Sequence, residues 1–296
     1  MSRAVDLLLD HLRAEQARGV EHVYLDEEAR EVLRDLHRRT VAAKKNKGGT
    51  ASSAPTQATP ARSKTTAPAR PREAPAAPPP AELKVEGATA AERVASLKAQ
   101  AENWQPARAM GTLREKMVFS VGDPEAELML VGEAPGHHEE RQGEPFVGPA
   151  GQKLNDILKA MGVERTGVYI SNIVKFRPAM PKQTSNNRKP TPEEMAACLP
   201  FVREEVKVVR PKCIVALGGT AAEGLLGLSG SVGAMRGKWH EFDGIPVRVT
   251  YHPAYLLHGS AALGDKRKIW EDMLEVMEML GLPISDKQRG FFLPKG

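Results

Sequence analysis

Between Ala42 and Glu82 the chain has no Val, Ile, Leu, Met, Phe, Trp, Tyr or Cys. A stretch this long without a large apolar side chain cannot bury enough surface to offset the entropy of ordering it. Eight of the 23 prolines also fall there, between Pro55 and Pro80. The sequence therefore predicts a disordered tether that divides the 296 residues into unequal parts. Residues 1–40 form a small helical segment: Val5, Leu8, Leu9 and Leu12 share one helical face, and Leu25, Ala29, Val32, Leu33 and Leu36 another. Residues 41–90 form the linker, 91–285 the main domain and 286–296 a tail. The formal net charge of +5 sits mostly in the linker, where 8 basic residues face 3 acidic ones. Lys44, Lys45, Lys47, Arg62, Lys64, Arg70 and Arg72 would either contact phosphates or keep a spacer solvated.

Two cysteines exclude a disulfide scaffold, a four-cysteine zinc site and an all-cysteine iron–sulfur cluster. No apolar run approaches a membrane span, and Met1 to His11 lacks the apolar core of a secretory signal. A cytoplasmic protein is expected. In the main domain, apolar runs at Leu128–Val131, Val168–Val174, Cys213–Leu217 and Val247–Tyr251 read as strands. Helical patterns at Pro149–Met161, Pro192–Val209, Thr220–Leu226 and Lys266–Leu280 separate them. This alternation predicts an α/β fold with a doubly wound, mainly parallel four-stranded sheet flanked by helices. The connection from Gly227 to Pro246 shows no clear period and reads as a hairpin or an irregular loop.

In such sheets ligands bind beyond the carboxyl ends of the strands, where this sequence places its unusual residues. The first strand runs into Gly132-Glu133-Ala134-Pro135-Gly136, a turn that lets backbone approach a ligand and aims Glu133 at the crevice, or that simply carries a surface Glu. Pro145-Phe146-Val147-Gly148 follows, with Phe146 placed to stack on a flat ligand or to fill the core. Asn172 ends the second strand among β-branched residues; its amide suits a nucleobase edge, or is a satisfied structural group. His252 ends the fourth strand, able to donate to developing negative charge or to cap the next turn. Leu256 and Leu257 follow as a wedge for a base stack.

The order GEAPG, PFVGxAG, SNIVKxRP, RPKxIVALG, RG, HPAYLL, from about residue 105 to 280, resembles the uracil-DNA glycosylase superfamily, and most of all its family 4. The resemblance implies a uracil-DNA glycosylase-like fold and hydrolysis of the N-glycosidic bond of uracil flipped out of DNA, as in base excision repair. It implies catalytic roles for Glu133 and His252. It implies uracil contacts from Ala134, Phe146, Asn172 and His252, and DNA contacts from Pro135, Gly136, Lys175, Arg236, Leu256 and Leu257. The partner is uracil-containing DNA, and a monomer is expected; residues 1–40 are open to a protein partner. Ala134 and Gly136 stand where better-known uracil glycosylases carry Asp and Tyr. His258 stands where many relatives have Arg, and the chain between Pro178 and Arg188 carries an insertion. Family 4 usually holds a 4Fe–4S cluster on four cysteines. Gln105, Arg108 and Phe176 occupy three of those positions and only Cys198 is retained, so no cofactor is expected, with Trp104, Met110 and Phe176 filling the volume. A catalytically weak uracil- or DNA-binding scaffold is the alternative.

Overall fold

The computed structural model describes residues 83–257 and 263–293. The expectations for residues 1–40 and 41–82, and for His258, lie outside them. The described chain opens with helices α1 (Ala90–Glu102) and α2 (Gln105–Arg108), then strands β1 (Leu113–Met117), β2 (Val121–Gly122) and β3 (Leu128–Gly132). Helices α3 (His137–Gln142) and α4 (Pro149–Met161) precede β4 (Tyr169–Asn172) and β5 (Phe176–Pro178). Helix α5 (Pro192–Val209), strand β6 (Cys213–Leu217) and helices α6 (Gly219–Leu226) and α7 (Val232–Met235) follow. The hairpin β7 (Trp239–Phe242) and β8 (Ile245–Thr250), a 3-10 turn at Pro253–Leu257, and helices α8 (Leu263–Leu280) and α9 (Asp286–Arg289) complete it.

The main sheet has six strands in the order β2-β4-β3-β6-β8-β7. The four expected strands are its parallel centre, with β2 and β7 added antiparallel at the edges. The hairpin left open in the sequence is β7–β8. Asp243 and Gly244, both at positive φ (48° and 83°), turn it, the Asp-Gly chemistry of a two-residue hairpin. A separate two-stranded ribbon pairs β1 with β5.

Alternate strand residues face opposite layers. Met129, Val131, Ile214 and Ala216 pack against Leu97 of α1, Phe201, Val202 and Val206 of α5, and Ala222 of α6. Leu128, Leu130, Val215 and Leu217 pack against Leu154 and Leu158 of α4 and Trp270, Met273 and Met277 of α8. Burial of each large side chain is worth about 1.5–3 kcal/mol. Thr89 with Glu92 and Thr191 with Glu194 form capping boxes that start α1 and α5.

The folded unit is longer than the sequence patterns suggested. Leu83 and Val85 pack against the first core layer. In the expected tail, Phe291 packs on the second layer, and the Trp270 Nε1–H donates to the Gln288 carbonyl at 2.6 Å. Between β3 and β6 the strand order reverses, so the crevice beyond their carboxyl ends is the switch point where a ligand is expected.

Candidate functional site

Gly132 closes β3 directly opposite Asn172 of β4 in the parallel register. A Cβ on Gly132 would stand 2.3 Å from Asn172 Oδ1 and 2.5 Å from the Phe146 ring. Only glycine lets these two side chains converge there. Asn172 is 4% exposed, and its Oδ1 is buried without a hydrogen-bond partner. An unpaired buried acceptor costs about 1–3 kcal/mol, so an arriving N–H donor gains what the free protein lacks. Phe146 holds a left-handed backbone, φ 54°, a strained conformation for an aromatic residue. Its ring centroid lies 5.6 Å from that of His252, with the planes 30° apart. Asn172, Phe146 and His252, from three separate segments, thus meet at one place.

His252 follows β8. Its Nδ1 accepts the Ala254 N–H at 3.2 Å, so in the neutral ring the proton sits on Nε2. The residue keeps a partly open edge, yet desolvation dominates and pushes its pKa down to about 4, only partly opposed by the Glu139 carboxylate. At neutral pH it is an uncharged donor.

Glu133 leaves β3 toward the switch point, and its backbone carbonyl accepts the Val174 N–H at 3.0 Å. Burial raises its carboxyl pKa; the hydroxyl of Thr220, in the first turn of α6, opposes that shift, as does the Lys189 charge. Glu139 and Thr220 are two residues that sequence reasoning missed. Glu139 accepts the Gly136 N–H at 3.1 Å through one oxygen, and the N–H groups of Val147 and Gly148 at 3.1 and 2.8 Å through the other. One carboxylate therefore ties the turn carrying Glu133 to the turn carrying Phe146. A Glu three residues after Gly136, at the start of α3, was the available signal.

The expected DNA contacts divide. Leu257 is 42% exposed, and Leu256 and Gly136 are partly open, as is Ala134, the expected uracil contact. Three others are corrected. Lys175 is 0% exposed and ion-paired with Glu205 at 2.7 Å, so it cannot reach a phosphate. Arg236 turns inward to Asp272 at 2.9 Å, its charge already matched. Pro135 is buried, so its turn presents Gly136 and not the ring. These residues lie close to the site in sequence, but Lys175 and Arg236 are drawn to the buried carboxylates Glu205 and Asp272.

The four positions expected to match the family's cluster cysteines lie close together. Gln105, Arg108 and Phe176 line one surface depression, and the Cys198 thiol lies beside the Lys175 backbone. Their chemistry does not fit a cluster. Arg108 stacks 4.6 Å over the Phe176 ring and donates to the carbonyls of Glu102 and Glu115. Burial pushes the Cys198 thiol up to about 11. Among the described residues no group of three or more His, Cys, Asp or Glu is placed to hold a metal ion. Trp104 and Phe176 are buried here, and Trp104 meets Phe201 edge-on at 5.0 Å. Met110, expected beside them, is only half-buried. Cys213 is core, as its strand position implied.

A family model described as the uracil DNA glycosylase superfamily matches residues 119–274. Over 163 residues the chain is 39% identical to a type-4 uracil-DNA glycosylase of Pyrobaculum aerophilum, covering 52% of this chain and 80% of that one. A type-4 uracil-DNA glycosylase of Thermotoga maritima is 41% identical over 146 residues, covering 49% and 73%. A type-5 uracil-DNA glycosylase of Pyrobaculum aerophilum is 34% identical over 154 residues, covering 46% and 64%.

Proposed function

The chain belongs to the uracil-DNA glycosylase superfamily, and from that premise we propose that it hydrolyses the N-glycosidic bond of uracil flipped out of DNA, as a monofunctional type-4-like enzyme in cytoplasmic base excision repair. The observation that carries this reading is the buried, unpartnered Asn172 Oδ1 beside an aromatic face and a neutral imidazole donor. Uracil supplies what each lacks. Its N3–H is the donor for Oδ1, its O4 accepts from the Asn172 amide, and its ring lies on Phe146. Cytosine carries no N3–H and is refused at Asn172, because the acceptor would stay unpaired.

In the reaction the C1′–N1 bond breaks, and the electron pair leaves with the base as negative charge spread onto O2. The Nε2–H of His252 donates to that oxygen. The sugar becomes oxocarbenium-like; the Glu133 carboxylate stabilises it and orients the water, whose oxygen bonds to C1′ as its proton passes to that carboxylate. Fixed donors and charges aimed at both ends of a breaking bond are the largest source of such acceleration. Unstacking the base costs a few kcal/mol, offset in part by a wedge from the exposed Leu257 with Leu256 beside it. The enzyme acts as a monomer on uracil-containing DNA. It carries no iron–sulfur cluster, because three of the four positions hold residues with no thiolate to offer.

A gel assay on a uracil-containing oligonucleotide tests the function. Wild type should leave abasic sites, and Glu133→Gln should slow single-turnover excision by about a hundredfold or more, about 3 kcal/mol in barrier. The acid limb of the wild-type rate should lie above the usual carboxylate range, as the raised Glu133 pKa requires. DNA binding without excision by wild type would favour the scaffold alternative. For the cofactor, purified protein should be colourless with far less than stoichiometric iron. A brown protein with about four irons per chain would overturn that part.

A further inference from the structure

Lys175 and Glu205 are both fully buried, and their charges meet at 2.7 Å. Taking two ions out of water costs several kcal/mol each, and a well-packed apolar pair of similar volume is often at least as stable. The core around them is apolar, with Phe119 5.0 Å beneath the ammonium. Stability alone gives little reason for this pair.

Its geometry gives another. The three ammonium donors go to Glu205 Oε2 at 2.7 Å, Ser171 Oγ at 2.6 Å and the Asn172 backbone carbonyl at 3.1 Å. Glu205 also accepts the hydroxyls of Ser171 at 2.9 Å and Tyr169 at 3.1 Å. Lys175 thereby closes the turn that begins at Asn172. Within that turn the Ile173 N–H donates to the Gly132 carbonyl at 2.9 Å and the Val174 N–H to the Glu133 carbonyl at 3.0 Å. The Asn172 Oδ1 has no protein partner, so its side chain is aimed only from the backbone behind it.

We infer that the buried Lys175–Glu205 pair, with Ser171, positions Asn172 and Glu133 together through the Asn172–Lys175 turn. Lys175 touches neither base nor phosphate. It sets the distance between the group that reads the base and the carboxylate that faces the sugar. The inference rests on the glycosylase reading for its catalytic meaning.

The test uses the full chain carrying Lys175→Met with Glu205→Met, which removes both charges so that neither is left buried alone. Single-turnover excision at saturating enzyme should fall about ten- to a hundredfold, the cost of misplacing reacting groups by a fraction of an ångström to an ångström. The unfolding midpoint should fall by no more than the loss of partners for the Ser171 and Tyr169 hydroxyls and the Asn172 carbonyl requires, and affinity for uracil-free DNA should not change. A folded double variant that excises at the wild-type rate overturns the inference. Should the double variant not fold, Ser171→Ala decides: severalfold slower excision at an unchanged midpoint supports positioning, and wild-type rates reject it. Should wild type itself not excise uracil, the glycosylase reading fails and hydrogen exchange decides. The Ile173 and Val174 amides should then exchange faster in Ser171→Ala than in wild type, and unchanged exchange overturns the positioning role.

Discussion

The carboxyl ends of β4 and β8 each deliver one polar side chain to the site, and the two are prepared in opposite ways. Both strands rest on a fully buried carboxylate paired with a cation. Behind β4 it is Glu205 with Lys175. Behind β8 it is Asp272, which holds Arg248 and Arg236 and accepts the Thr250 hydroxyl at 2.9 Å. Beyond that the ends differ. Asn172 has its backbone held and its amide oxygen unsatisfied. His252 has its ring satisfied on one nitrogen, which fixes the proton on the other. Reading a base needs a group still lacking its partner. Stabilising a leaving anion needs a donor whose proton position is decided in advance.

This contrast sets the expected size of each defect. Asn172→Ala removes the proposed reading group and would leave the N3–H and O4 of a buried uracil unpaired. Excision should fall about a thousandfold, in the range seen when a site built around hydrogen bonds loses them. A loss below tenfold in single-turnover kinetics would mean that the base is read elsewhere.

His252→Ala removes one donor and should cost about a hundredfold, less than Asn172→Ala because the base is still recognised. The two ends should also separate in pH. His252 has a folded-state pKa of about 4, below the ordinary imidazole value of 6.5. As pH falls, the unfolded chain therefore takes up the proton first, and stability is lost from about pH 6.5 down to about 4. His252→Gln, which never charges, should lack that slope. The denaturant midpoint of wild type should then fall relative to that of His252→Gln as pH drops from about 6.5 to about 4. Parallel profiles would show that the imidazole is not desolvated.

The smallest expected effect belongs to Glu139, which serves both halves of the site. Glu139→Gln keeps the shape but replaces one acceptor oxygen by an amide that donates. Stability should fall by about 1–2 kcal/mol and excision by about tenfold through loosened Glu133 and Phe146 turns. Unchanged excision would confine Glu139 to helix capping.

The amino-acid sequence alone determined the parallel centre of the sheet. Its strands are short, largely apolar runs, mostly buried, and pattern together with length suffices to find them. It also singled out the turns proposed to carry the chemistry, because Gly132, Glu133, Asn172 and His252 are polar or permissive residues directly at the ends of apolar runs. The edge strand β2 was not legible, because two residues make no pattern. The β7–β8 hairpin was half-legible: its Asp243-Gly244 signal stood in a segment with weak alternation. Side-chain direction was decided only by the tertiary structure. Lys175 and Arg236 look like phosphate contacts because they are cationic and adjacent to the site. Yet Glu205 and Asp272, thirty or more residues away along helices α5 and α8, draw them inward. The unpaired Asn172 oxygen and the Nε2 proton of His252 likewise depend on what lies opposite in space. A residue's type fixes which bonds it can make, and only packing decides which of them are left for the ligand.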